Sequence, residues 1–152
     1  MDLNTVDAPA FGRSLSRLGL NIVVRDVARS VRFLQQVFAM QAFQVSGKFA
    51  ILRYGQQIFQ LHADATYGAN PLLGLLPALD ARGAGVELRL YDSDPDDAVA
   101  RARAHTGVTV LQEPTDKPHG LREAYILCPD GYAWVPSRHL TAVPAPASPG
   151  LG

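Results

Sequence analysis

The stretch Leu20-Asn-Ile-Val-Val-Arg-Asp26-Val-Ala-Arg-Ser-Val-Arg-Phe-Leu34 decides the fold once it is set beside Val86-Glu-Leu-Arg-Leu-Tyr91 and Asp94-Pro-Asp-Asp-Ala-Val-Ala-Arg-Ala102. In the first stretch Leu20, Ile22 and Val24 alternate with Asn21, Val23 and Arg25, which is a strand with one strongly apolar face. Asp26 then caps a helix, because its carboxylate accepts from the free N–H groups of the first turn. Val27, Val31, Leu34 and Phe38 recur at helical spacing, and Phe33 and Val37 widen the stripe. In the second stretch Val86, Leu88 and Leu90 alternate with Glu87, Arg89 and Tyr91. Asp94 followed by Pro95 and two further acids is a helix start, with proline at the first helical position and negative charge at the positive end of the dipole.

The two stretches repeat. The strands superpose at an offset of 66 residues (86 minus 20) and the caps at 68 (94 minus 26), so two residues are inserted before the second helix. Such a repeat implies two units that bury the same face. Outward from the first helix, Ala42 to Val45, Phe49 to Arg53 and Gln57 to His62 read as strands, with turns at Gly47 and Tyr54-Gly55. Outward from the second, Val108 to Leu111, Ala124 to Leu127 and Tyr132 to Val135 do the same, the last two across Pro129-Asp130-Gly131. Each half is β-α-β-β-β. The fold class is α+β, with one domain over 18–140: module one at 18–62, a linker at 63–82 and module two at 83–140. Residues 1–17 show no periodicity and read as a flexible N-terminal arm. Residues 141–152, rich in Pro, Ala and Gly, read as a disordered tail.

Composition narrows the function. The chain has 152 residues, of which 47% are hydrophobic and 18% charged, enough for a core without disulfide or structural metal. Its 14 basic and 14 acidic residues cancel, so neither nucleic acid nor an anionic membrane is an expected partner. Gly74 and Pro77 interrupt the apolar region near Leu72, and the N-terminus lacks a signal-peptide pattern, so the expected location is cytoplasmic. The single cysteine, Cys128, reads as a small filler. The sequence contains no HExxH, Gly-x-Ser-x-Gly, P-loop or Gly-x-Gly-x-x-Gly pattern.

Three segments resemble the vicinal-oxygen-chelate superfamily, which includes glyoxalase I, bleomycin-resistance proteins and extradiol dioxygenases. They are Asn21 to Phe33, Gly85 to Asp92, and His119-Gly-Leu-Arg-Glu-Ala-Tyr-Ile-Leu-Cys-Pro-Asp-Gly-Tyr132, the last being similar to the family's Gly-x-Arg-Glu and Asp-Pro-Asp-Gly pattern. Cys128 stands where the family usually has Asp. The resemblance implies that the two modules form a curved, mixed eight-stranded sheet around a cup. It also implies a homodimer, in which a second subunit often completes the cup.

The family's enzymes hold a divalent metal in the cup with one residue from each opening strand and one from each module's last strand. Carried over, those positions are Gly19, Gln60, Gly85 or Glu87, and Val135. Glycine and valine cannot ligate, so the expected cup is metal-free and no cofactor is expected. A displaced metal site would use Gln60, His62, Glu87 or Glu123. Alternation turns Asn21, Gln60, His62, Glu87, Arg89, Tyr91, Glu123 and Tyr125 toward the cup, and these eight are the candidate ligand-binding residues. Apolar walls, aromatic surface and a few polar groups suit a partly aromatic organic molecule. The function implied is a small-molecule-binding protein of the bleomycin-resistance type. The alternatives are a metal-dependent lyase, isomerase or dioxygenase, and a dimeric interaction module with a filled cup.

Overall fold

A computed structural model of the chain describes residues 1–67, 70–76 and 81–141. Among these residues, three α-helices and eight strands run in the order α1 (Ala8–Ser14), β1 (Asn21–Val24), α2 (Val27–Phe38), β2 (Gln41–Phe43), β3 (Phe49–Tyr54), β4 (Gln57–Ala63), β5 (Glu87–Leu90), α3 (Pro95–Ala102), β6 (Thr109–Asp116), β7 (Leu121–Leu127) and β8 (Ala133–His139). Short 3-10 turns at Asp64–Tyr67 and Leu73–Leu75 lie in the linker. The expected tail falls almost wholly outside the described residues.

Both modules form as the repeat requires. Asp26 accepts from the Arg29 N–H at 3.0 Å and starts α2, and Asp94 accepts from the Asp96 N–H at 2.9 Å and starts α3. Sheet order is β1-β4-β3-β2 in module one and β5-β8-β7-β6 in module two. In each sheet the opening strand runs parallel to the last strand and the other ladders are antiparallel. The eight strands form two four-stranded sheets rather than one continuous ladder. The β6 strand extends well beyond the expected Leu111, because two register shifts let it follow β7 to Asp116.

One apolar core joins the modules. Ile22, Val24, Leu52 and Leu61 from the first sheet and Leu90, Ala124, Ile126 and Trp134 from the second pack with α2 and α3. Trp134 lies 6.0 Å from the rings of both Phe38 of α2 and Phe59 of β4. Arg101 of α3 donates to the Val37 carbonyl at 2.9 Å, satisfying an orphan acceptor at the end of α2.

The modules meet reciprocally. The end of β1 meets the β7–β8 turn: the Arg25 Nε donates to Asp130 at 2.8 Å and the Tyr132 hydroxyl to the Val23 carbonyl at 2.7 Å. The end of β5 meets the β3–β4 turn, where the Tyr54 hydroxyl donates to the Tyr91 carbonyl. Arg25 and Tyr91 are 66 residues apart, so the contacts follow the repeat.

The first 17 residues are not a shapeless arm. Asp7 caps α1 by accepting from the Ala10 N–H at 2.7 Å, and Phe11 is buried. The Gln44 side chain ties the segment down by donating to the carbonyls of Leu3 and Val6 at 3.0 and 2.8 Å.

Candidate functional site

Strand alternation gives each sheet a second face, turned away from α2 and α3. Ala50 and Leu52 enter the shared core while Ile51 points the other way; Trp134 and Val135 divide likewise. These second faces carry the candidate residues.

On the module-two face, register places Arg89 beside Val135 and Glu123 beside Ser137. The Arg89 guanidinium donates to Glu87 at 2.9 Å, to Glu123, and to the Ser137 hydroxyl at 3.4 Å. The Tyr125 hydroxyl donates to the other Glu87 oxygen at 2.8 Å, and His119 Nε2 lies 3.2 Å from Glu123. Glu87, Arg89, Glu123 and Tyr125 are therefore brought together, as alternation implied. Glu123 is only 2% exposed, so its ion pair compensates a desolvated charge. Tyr91 lies just past β5 and is half-exposed, with its ring 5.9 Å from the Arg89 guanidinium carbon.

Electrostatics follow from these bonds. The Tyr125 hydroxyl, and then Arg89, hold the Glu87 carboxyl below its ordinary range, while the same bond pushes the Tyr125 phenol up. Burial opposes the Arg89 charge, but its bonds to Glu87 and Glu123 prevail and raise its pKa. Glu87 is thus ionised at neutral pH and a weak base, and the cluster presents fixed hydrogen-bonding groups beside two aromatic rings. An open hollow of about 490 Å³ adjoins it, lined by Gly85, Val86, Glu87, Leu111, Leu127 and Ala133.

On the module-one face, β1 and β4 place Asn21 beside Gln60 and Val23 beside His62. His62 Nε2 is 3.2 Å from the Gln60 side-chain oxygen, and the Phe49 ring stands 5.2 Å from the imidazole. Burial pushes the His62 pKa down, which favours the neutral ring. Val6, Phe11 and Leu15 of the N-terminal segment border part of this face and line with it a half-open pocket of about 370 Å³.

The eight candidates thus fall into two sets. Asn21, Gln60 and His62 lie on one sheet; Glu87, Arg89, Glu123 and Tyr125, with Tyr91 beside them, lie on the other. Arg122 does not pair with its neighbour Glu123: alternation sends it to the opposite side, where it bonds Asp96 at 2.7 Å and Asp116 at 2.9 Å. Ser137 and the whole of α1 were not among the candidates. Neither was His119, which reaches Glu123.

The donor set does not fit the family's four-point metal site. Val23 pairs with His62 and Arg89 with Val135, and 23 and 89 are also 66 apart, so His62 rather than Gln60 is the counterpart of Val135. Gly19 and Gly85 offer no side chain, Val135 is apolar and completely buried, and Glu87 is already bonded to Arg89 and Tyr125. Among the described residues no three His, Cys, Asp or Glu side chains converge. Cys128 is buried, and burial pushes its thiol pKa up, which disfavours the nucleophilic thiolate and fits a small filler.

Paired βαβββ modules with polar groups on the faces away from their helices define a class of two-module α+β proteins. Residues 16–135 match the family described as the glyoxalase/bleomycin resistance protein/dioxygenase superfamily, and the chain belongs to that superfamily. Solved structures share the fold. A glyoxalase/bleomycin resistance protein/dioxygenase family enzyme from Burkholderia phytofirmans PsJN is 23% identical at a TM-score of 0.67, covering 80% of this chain and 96% of that one. A glyoxalase/bleomycin resistance protein/dioxygenase from Nocardioides is 24% identical at 0.60, covering 85% and 88%. TioX from Micromonospora sp. ML1 is 23% identical at 0.57, covering 82% and 99%. At these identities the likeness shows the fold alone. No curated protein matches the chain.

Proposed function

We propose that this chain is a small-molecule-binding protein that holds a partly aromatic organic ligand against the faces carrying Glu87, Arg89, Tyr125, Gln60 and His62, without a metal. The observation that carries this reading is the closed bonding of Arg89 with Glu87 and Glu123. These groups are committed to one another, which favours recognition over proton transfer and leaves few donors for an ion. Tyr91 and Tyr125 add stacking surface. Sequestration is then the activity.

The protein acts as a homodimer in this reading. Val86 and Leu111, beside the module-two hollow, are 54% and 59% exposed, and large apolar side chains at a hollow suit cover by a second copy. No described helix is long and apolar enough to cross a membrane, and the proposed location is the cytoplasm.

A melting screen tests the proposal, using aromatic metabolites and antibiotics in parallel with Ni, Zn, Mn and Fe(II). An organic ligand at a hundred times its dissociation constant adds about 2.7 kcal/mol of stability. The expected result is a rise with an organic molecule and none with a metal. Stoichiometric metal with a clear rise in melting temperature supports instead a lyase, isomerase or dioxygenase whose ion bridges residues such as Gln60, His62, Glu87 and Glu123.

A further inference from the structure

We propose that α1 is a lid, and that the cavity beneath it is a binding site for an uncharged, largely apolar molecule bearing a hydrogen-bond acceptor such as a ketone. This inference rests on the ligand-binding reading above and places one ligand on module one. The superfamily match begins at residue 16, so α1 lies outside the matched region, and it lines a pocket together with Gln60 and His62. The half-open pocket it borders, about 370 Å³, falls in the roughly 300–1,000 Å³ range of organic-ligand sites.

The lining sets the ligand class. Val6, Phe11, Leu15 and Phe49 supply apolar walls, and Gln60 and His62 supply the polar floor. Among the described residues no lysine, arginine, aspartate or glutamate lines the cavity, so a charged ligand would lose its hydration without an ionic partner. With His62 donating to the Gln60 oxygen, the Gln60 amide N–H groups serve a ligand acceptor.

The attachment of α1 suits movement. Seven residues are too few for a helix to be stable alone, so α1 depends on seating Phe11 and on the two Gln44 bonds. The link to β1 is lightly held: Arg17 takes a left-handed φ of 65° and Leu18 is 99% exposed. Residues 16 to 19 therefore form the hinge.

The uncharged fluorescent ketone Prodan tests both parts on the full chain. Gly12 lines the pocket and a Cβ there meets nothing within 4 Å, so Gly12→Phe adds bulk at the pocket without a backbone clash. The expected results are a blue-shifted emission with wild type, at least a tenfold higher Kd in Gly12→Phe and in Gln60→Leu, and an unchanged Kd in Arg103→Ala, whose side chain bonds Glu113 and does not line the pocket. Bound Prodan also slows tryptic cleavage after Arg13 at least tenfold, since that bond is cut only when α1 opens. Unchanged affinity in Gly12→Phe with loss in Tyr125→Phe moves the site to module two; that overturns the lid while sparing the ligand-binding reading. Absence of any emission shift with wild type, or unaltered cleavage at Arg13, also overturns the lid.

Discussion

The guanidinium of Arg25, at the end of β1, closes on the carboxylate of Asp130 in the β7–β8 turn, with Nε 2.8 Å from Oδ1. Asp130 is 1% exposed, and it also accepts from the Arg25 backbone N–H at 3.3 Å. One carboxylate thereby fixes the opening strand of one module to the last hairpin of the other. Hydrogen bonds to a buried charge contribute about 1.5–3 kcal/mol each. Asp130→Ala is expected to lower unfolding free energy by at least about 2 kcal/mol, measured by urea titration, with the m-value preserved. A loss under about 0.5 kcal/mol, the surface level, removes this clamp from the account.

Glu123 and Arg89 make a second stability test, independent of any ligand. Arg89→Met leaves Glu123 charged, buried and without its main partner, which costs about 3–5 kcal/mol. The double change Arg89→Met with Glu123→Leu is expected to recover most of that loss. A double variant no more stable than the single one shows that the pair's packing, not its uncompensated charge, sets the cost.

Gly131 and Gly85 both adopt left-handed φ, at 80° and 87°, yet they predict different penalties. A Cβ at Gly131 collides with the backbone of Ala81, whereas one at Gly85 meets nothing within 4 Å. Gly85→Ala should cost only the left-handed penalty of about 1–2 kcal/mol, and Gly131→Ala clearly more. Equal melting temperatures for the two variants contradict the close approach of the linker's end to the hairpin.

His62 predicts a pH dependence. Burial lowers its pKa below the ordinary 6.5, so the folded chain binds fewer protons here than the unfolded chain. The associated stability is complete above about pH 6.5 and declines as pH falls through the folded value. Urea midpoints taken from about pH 8 down to about pH 5.5 should fall less steeply in His62→Gln than in wild type. Matching slopes contradict a buried neutral imidazole.

Much of the fold was legible because the repeat is written in side-chain alternation and in caps. Ile22 and Val24 against Leu88 and Leu90, and Asp26 against Asp94, each report a local preference that packing then reinforces. Helix α1 was missed even though Asp7-Ala-Pro9 carries the same cap-and-proline signature as Asp94-Pro95. Its seven residues bury only Phe11, so no apolar periodicity reveals it. The cluster around Glu123 was legible for the same reason as the strands, since alternation decides which face a residue takes. The sequence carries Gln60 to the position matching Val135 where register gives His62, because that choice depends on register against β1, a property of two strands and not of one. The separation of the candidates into two faces depends in turn on how the modules dock, through contacts such as Arg25 with Asp130 that lie 105 residues apart.

The most direct measurement is a diffraction structure of the full chain grown with the organic compound that most raises its melting temperature. The compound is predicted to lie against the Glu87–Arg89–Tyr125 face or over Gln60 and His62, in van der Waals contact with aromatic side chains and with no ion between protein and ligand. A divalent ion gripped by several side-chain donors, with the compound bound to it, contradicts the sequestering account.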